Sequence, residues 1–227
     1  MSSKATTKSS PKIPVLPAEL VLLPGTQIML RMKDEQYKKM VDDCIRDEMP
    51  FGVMFCSDAD HPLATISMVG CLANILDFEA EDDGTYVTRV EGGERFMAKA
   101  ISKADEGYFL AEYTHLPEDV DIALDENLFD SILNLLEIYF ELLEMIDPEL
   151  VEELPNDLSR YDLTFLALDH MAVGDSVRQE GLEMPSVKER GRFCIKILRQ
   201  EIERLKFLLS ASDDEDEDEF EMPQRMN

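Results

Sequence analysis

Four cysteines and three histidines are the residues in this chain most able to do chemistry: Cys44, Cys56, Cys71 and Cys194, with His61, His115 and His170. A cysteine nucleophile needs a base and a third group that orients the base. No spacing in the sequence marks such a set. Cys56 and His61 form a loose C-x4-H, without a second ligand pair at zinc spacing. No C-x-x-C occurs, so the four thiols read as reduced and mostly buried. The phosphate cradle G-x-x-x-x-G-K-[ST], the elbow G-x-S-x-G and the helix motif H-E-x-x-H are all missing. Gly92-Gly93 is too short for a dinucleotide fingerprint. Asp58-Ala59-Asp60 and Glu79 to Asp83 are acidic, but lack the alternating ligands and distal Glu of a calcium loop. Turn chemistry accounts for both. The residues therefore predict no catalytic, cofactor-binding or metal-binding set. A small hydrolase using a cysteine stays open as an alternative.

Methionine offers a different kind of chemistry. The chain has 13, and Met29, Met32, Met40, Met49, Met54, Met68 and Met97 all fall in its first half. Methionine fills cores adaptably and is over-used on promiscuous apolar binding surfaces. Strand alternation puts Gln27, Met29 and Arg31 on one face, and Ile28, Leu30 and Met32 on the core face. Met29 is thus expected to be exposed and Met32 buried. Met29, Tyr37 and Met54 are the candidate contacts for a bound polypeptide, with ordinary core packing as the competing reading.

Charge narrows the function classes. In 227 residues, 22 are basic and 49 acidic, for a net charge of −27. Setting aside residues 1–12 and residues 213–227, which hold the run DDEDEDEFE and Arg225, leaves 18 basic and 41 acidic residues, so the body itself is acidic. Sequence-independent nucleic-acid binding needs Lys/Arg against phosphate, and docking on an anionic membrane needs the same. Neither is expected. The polar opening MSSKATTKSSPK has no apolar signal-peptide core. Glu137, Glu141 and Glu144 interrupt the longest apolar helix candidate, so it does not read as a membrane span. A cytoplasmic protein is expected.

The elements that must position these residues change character near residue 118. Before it, segments are short and turn-bounded. After it, they are long and helical, which predicts an α+β fold. A Pro-rich entry (Ile13 to Pro17) and a Pro24-Gly25 turn precede a strand over 26–32. Asp34 is placed to cap a helix in which Tyr37, Met40, Val41, Cys44 and Ile45 form one apolar stripe, ended by Pro50. Strands are expected over 51–56, 65–76 (bent at Gly70), 86–91, 95–102 and 108–114. Hairpin turns are expected at Asp82-Asp83-Gly84, Gly92-Gly93 and Asp105-Glu106-Gly107. Together they read as an antiparallel meander closing into a small barrel with one packed helix. Helices follow over 128–146, expected to be covered on two sides, and from Leu158 to a cap at Gly174. A short helical turn spans 175–181. The capping box Ser186 to Glu189 opens a last helix reaching about Leu209.

Several of these segments resemble the opening of the Lon N-terminal (substrate-binding) domain family. They are Leu22-Leu23-Pro24-Gly25-Thr26, Leu30-Arg31, Tyr37-Lys38-Lys39-Met40-Val41 and Pro50-Phe51-Gly52-Val53. Val69-Gly70-Cys71-Leu72-Ala73 is similar to that family's V-G-x-x-A segment. Gly92-Gly93-Glu94-Arg95-Phe96 is similar to its G-x-x-R-F segment. Order and spacing agree across residues 15–114, and residues 120–209 fit the helical portion more loosely. Arg31 to Glu35 stands where the family commonly has H-I-F-E-P, and Gln36 replaces the basic residue before Tyr37.

The resemblance implies an N-terminal antiparallel β-barrel-like (PUA-like) subdomain with one helix, followed by a C-terminal helical bundle. The divisions expected are a disordered arm at 1–12, the β-rich subdomain at 13–118, helices at 119–210 and a disordered acidic tail at 211–227. It also implies a stand-alone, non-catalytic module that binds protein or peptide clients, as unfolded or extended segments, in protein quality control. A peptidase S16 label on such a chain would describe ancestry, since the ATPase and Ser-Lys protease modules have no counterpart here. A separate protease is left open as a further partner. An RNA-binding PUA-like module is the rival reading, against the acidic charge.

Overall fold

The computed structural model describes residues 11–117, 126–151 and 159–217. The chain divides into two compact units. Residues 1–120 and 173–186 form the first, and 121–172 with 187–227 form the second. Sequence order alone puts a boundary near 118, but Val173–Ser186 belongs with the first unit, which is therefore built from two chain segments.

In the first unit the elements run β1 (Lys12–Ala18), β2 (Gln27–Met32), α1 (Glu35–Arg46), β3 (Phe51–Cys56), α2 (Pro62–Thr65), β4 (Ile66–Ala80), β5 (Tyr86–Lys103) and β6 (Phe109–His115). The later α5 (Asp175–Glu183) completes it. The sheet order is β2-β5-β4-β3-β1-β6, and a further β5–β6 pairing closes a five-strand ring. The expected barrel is present, with one pairing, β1–β3, parallel rather than antiparallel. The Pro-rich entry proves to be strand β1. Pro14 has a sheet partner only in β6 and Pro17 only in β3. A strand residue directs its N–H to one flank, so prolines are tolerated where the other flank is unpaired.

Gly92-Gly93 is not a hairpin. Strand β5 runs straight through it, and the register against β4 shifts there instead. A Cβ on Gly92 would lie 1.9 Å from the Leu23 carbonyl oxygen. Gly25 N–H donates to Gly92 O, and Gly92 N–H donates to Thr26 O. These glycines permit a close backbone crossing, not a turn. The turns at Gly84 and Gly107 form as expected, with φ of 80° and 101°.

The core of the barrel forms around Phe96, which is fully buried with Ile13, Val15, Met54 and Ala111. A Cβ on Gly52 or Gly70 would sit 2.6 or 2.7 Å from its ring carbon Cζ. Two strands thus give up side chains to admit one ring. A second cluster packs α1, through Met40, Val41 and Cys44, against Leu16, Leu30, Phe51 and Val90. Ile45, expected in that stripe, is exposed. Asp34 takes the N-cap position of α1 without a side-chain capping bond.

The second unit holds α3 (Glu126–Ile146), a single 3-10 turn at Pro148–Leu150, α4 (Arg160–His170) and α6 (Val187–Glu217). Among the described residues α3 buries one stripe, Ile132, Leu136, Tyr139 and Leu143, and leaves Ile138 and Met145 exposed. The expected two-sided cover is absent there. Isoleucine and methionine on the outer face widened the apolar pattern but stay exposed. Gly174 does not end α4. It is the extended N-cap residue of α5, and Met171 closes α4. Leu158, expected in α4, lies outside the described residues. Helix α6 passes the expected boundary at 210 and continues to Glu217, since adding residues to a formed helix is far easier than starting one. Arg190 is fully buried there, with its guanidinium 3.9 Å from the Phe165 ring centroid and Nε donating to Thr164 Oγ1 at 2.8 Å.

Phe96→Ala should empty the ring's site between Gly52 and Gly70 and destabilise the first unit by about 3–5 kcal/mol. Gly70→Ala should also destabilise it, because the added carbon meets Val53 O at 2.6 Å. Urea unfolding followed by circular dichroism reads both. An unchanged midpoint for either would refute this account of the core.

Candidate functional site: an open slot in the barrel

Strands β2 and β6 share one flank of β5. β2 pairs with residues 86–91 and β6 with residues 96–103. Across from them, β1 pairs with β6 only over Lys12–Val15. Its continuation, Leu16 to Ala18, pairs with β3 alone. The barrel is therefore closed at its β6 end and open at its β2 end. A groove of about 570 Å³ occupies the opening, lined by Leu16, Pro17 and Ala18 on one side and Met29 to Met32 on the other. Leu20 and Tyr37 complete its apolar wall.

Backbone parity decides what β2 offers to this slot. Gly92 N–H bonds Thr26 O, and in an antiparallel ladder hydrogen-bonded pairs alternate with non-bonded ones. Ile28, Leu30 and Met32 then turn their backbone groups to β5. Gln27, Met29 and Arg31 turn theirs to the flank on which β2 has no sheet partner. The slot presents free donors and acceptors beside apolar side chains.

Met29 is 59% exposed and lines the slot, while Met32 and Leu30 are buried, as alternation predicts. Tyr37 is half-buried in the same wall. Burial, with the Asp34 carboxylate nearby, raises its phenol above the ordinary value, so it stays a hydrogen-bond donor. Met54 is different. It is 0% exposed and packs with Phe96, so it is core and cannot be a contact. Strand β3 is covered on both faces, and a fully apolar run carries no sign of which residue is outermost. Sequence reasoning missed Leu16, Pro17 and Leu20, whose pairing pattern is a property of the whole sheet.

Asp43 fastens α1, the helix that carries Tyr37, to Tyr108 just before β6. Lys39 Nζ and Arg46 Nη1 each lie 2.6 Å from Asp43 Oδ1, and Tyr108 Oη donates to Oδ2 at 3.2 Å. The hydrogen bond from Lys39, with a further one from Arg46, lowers the Asp43 pKa against the opposing effect of burial. Burial, and then Asp43, push the Tyr108 phenol up to about 12. Arg95 is buried too, and Nη1 donates to Leu182 O at 2.6 Å and Met184 O at 2.7 Å, tying the α5 segment to β5.

The thiols are poor nucleophiles. All four are buried, and burial pushes Cys44 and Cys194 up to about 12 and also raises Cys71 and Cys56. Around Cys56 the carboxylates of Glu19 and Asp58 oppose a thiolate further. His61 and His115 are exposed and approach carboxylates, Asp58 at 3.3 Å and Glu94 at 2.6 Å. Among the described residues no group of three or more His, Cys, Asp or Glu could hold a metal ion. No helix there is long and apolar enough to cross a membrane.

A split β-barrel with an apolar slot, joined in one chain to a helical unit, defines an α+β class of binding fold. Residues 12–200 match the ATP-dependent protease La (LON) substrate-binding domain, and the chain belongs to that family. It is 29% identical over 201 residues to the Lon protease of Erwinia amylovora, covering 86% of this chain and 25% of that one. Identity to the Lon protease of Azorhizobium caulinodans is 28% over 195 residues, covering 83% and 22%. The chain thus spans about a quarter of the length of these relatives. Two solved structures share the fold. The Lon N-terminal domain protein from Xanthomonas campestris superposes with a TM-score of 0.61 at 23% identity, covering 79% of this chain and 94% of that one. The N-terminal domain of Mycobacterium avium complex Lon protease gives 0.66 at 16% identity, covering 83% and 98%.

Asp43→Asn tests the anchoring of α1. A carboxyl whose folded pKa is lowered stabilises the fold above its ordinary value, near 3.8, and loses that contribution as pH falls through the lower folded value. Asp43→Asn should therefore lower the melting temperature at pH 7. The gap from the wild type should narrow below about pH 4. A gap that stays constant down to pH 2 would contradict this role. Labelling with a thiol-specific disulfide reagent should be slow for all four cysteines until the protein is unfolded.

Proposed function

We propose that this chain is a polypeptide-binding module that grips an extended, apolar client segment in the slot between β1 and β2. The carrying observation is that two strand flanks without sheet partners face one groove lined by Met29, Tyr37 and Leu20. An added strand would supply the backbone hydrogen bonds, and alternate side chains would settle against the apolar wall. Methionine adapts to clients of varied shape, which suits recognition of unfolded protein. Membership of a substrate-binding domain family supports the same reading. The module does no bond chemistry of its own, and where a client is degraded a separate protease would do it. The net charge of −27 keeps RNA, the rival ligand, at a disadvantage.

Met29→Pro tests this mode directly. Met29 directs its N–H to the open flank, so proline removes a donor from the slot without breaking the ladder to β5. The variant should fold normally and bind a fluorescent, extended apolar peptide at least tenfold more weakly by anisotropy. Leu20→Asp should do the same through the wall. Undiminished binding by both variants, or stronger retention of a single-stranded RNA at low salt, would overturn the proposal.

A further inference from the structure

Strand β4 outruns its neighbour on one flank. β3 pairs with it only as far as Phe51 opposite Ala73. From there β4 continues to Ala80 with β5 alone beside it. The residues ahead of β3 do not extend the ladder. They wall a groove of about 490 Å³ within the first unit, with Ile45, Met49 and Pro50 on one side and Ile75 and Phe78 on the other. Backbone parity shows what the edge offers. Glu81 N–H donates to Thr85 O at 2.9 Å. By alternation Glu79–Val87 and Asp77–Arg89 are bonded pairs as well, and Phe78 and Ala80 turn their backbone groups to the empty flank. The Phe78 N–H agrees, since its acceptor is the Asp77 side chain, Oδ1 at 2.8 Å, and not β5. The ladder to β5 also skips Leu76, a one-residue bulge. In a regular strand Ile75 and Phe78, three apart, would point to opposite faces. With the bulge both pack on the α1 cluster and make one apolar wall beside the free edge.

Charge selects the occupant. Glu48 and Asp77 line the groove, Glu79 follows on the edge, and no lysine or arginine lines it. Arg89, across the ladder, lies 4.0 Å from Asp77 and offsets one of these three acids. A second copy of this chain would bring the same acids to the same edge and be repelled. We infer that the β4 edge takes an extended polypeptide strand in which apolar residues alternate with lysine or arginine. Its backbone would pair with Phe78 and Ala80, and its apolar side chains would settle between Ile45 and Phe78. Its basic side chains would emerge on the other sheet face beside Asp77 and Glu79. A cation there would also draw the Asp77 carboxylate away from Phe78 N–H and release that donor for the added strand. The inference rests on the reading of the chain as a polypeptide binder, but not on the β1–β2 slot, and it adds a demand for positive charge.

The test is a nuclear magnetic resonance titration of the isotope-labelled full chain with the peptide acetyl-Lys-Val-Lys-Val-Lys-Val-amide. A second arm replaces each Lys by Glu. A third replaces each Val by Gly, which keeps the charge and removes the apolar face. The first peptide should shift the amide signals of Glu48, Ile75, Asp77 and Phe78, and the other two should bind at least tenfold more weakly. Asp77→Asn keeps an acceptor for Phe78 N–H but removes the charge, and should weaken binding at least tenfold. Ala80→Pro removes one outward N–H without touching the bonds to β5, and should do the same. Ile45→Ser, on an exposed residue, should weaken binding through the wall and guards against a folding defect in the strand variants. Equal binding of the Glu peptide, or full binding by both Asp77→Asn and Ala80→Pro, would overturn the proposal. Equal binding of the Gly peptide would overturn it in favour of unspecific charge attraction. Shifts centred on Met29 to Met32 would overturn it in favour of the slot. Met29→Pro should leave the β4 shifts intact, so failure of the slot and failure of this edge are separately visible.

Discussion

A single ring, Phe96, occupies space that two strands surrender to it. Gly52 on β3 and Gly70 on β4 have no room for a side chain because the ring lies against both. That contact joins β3, β4 and β5 at one point, and the closed end of the barrel is arranged around it. The neighbouring residue, Arg95, turns the other way along the strand and fastens the α5 segment through two carbonyls. Adjacent strand residues point to opposite faces, so one dipeptide serves the interior and the returning chain segment together.

Closure at one end and opening at the other follow from length. β5 is long enough to pair with β6 and with β2 end to end on the same flank. β1 reaches β6 for only part of its length. The remaining gap cannot be filled by the strands available. A gap of that kind is an aggregation hazard on an ordinary protein. A strongly acidic body offsets the hazard through self-repulsion, which leaves an exposed Met29 tolerable.

Much of this was readable along the chain. The alternation of Gln27 to Met32 placed Met29 outside and Met32 inside, because side-chain direction in a strand is local geometry. The motif segments around Gly52, Gly70 and Arg95-Phe96 pointed to the family before their contacts were visible. The α1 stripe followed from local periodicity except at Ile45, which is exposed, but the helix ends at Arg46, ahead of the expected stop at Pro50, with Glu48 in the left-handed region at φ 51°. What the sequence could not supply was anything that depends on which strand lies beside which. Gly92-Gly93 looks like a turn until the backbone of Leu23 is seen crossing it. Met54 looks like any other methionine until β3 is found covered on both faces. The slot exists only because two flanks distant in sequence face each other without a strand between them, and pairing partners are set by the closed sheet as a whole.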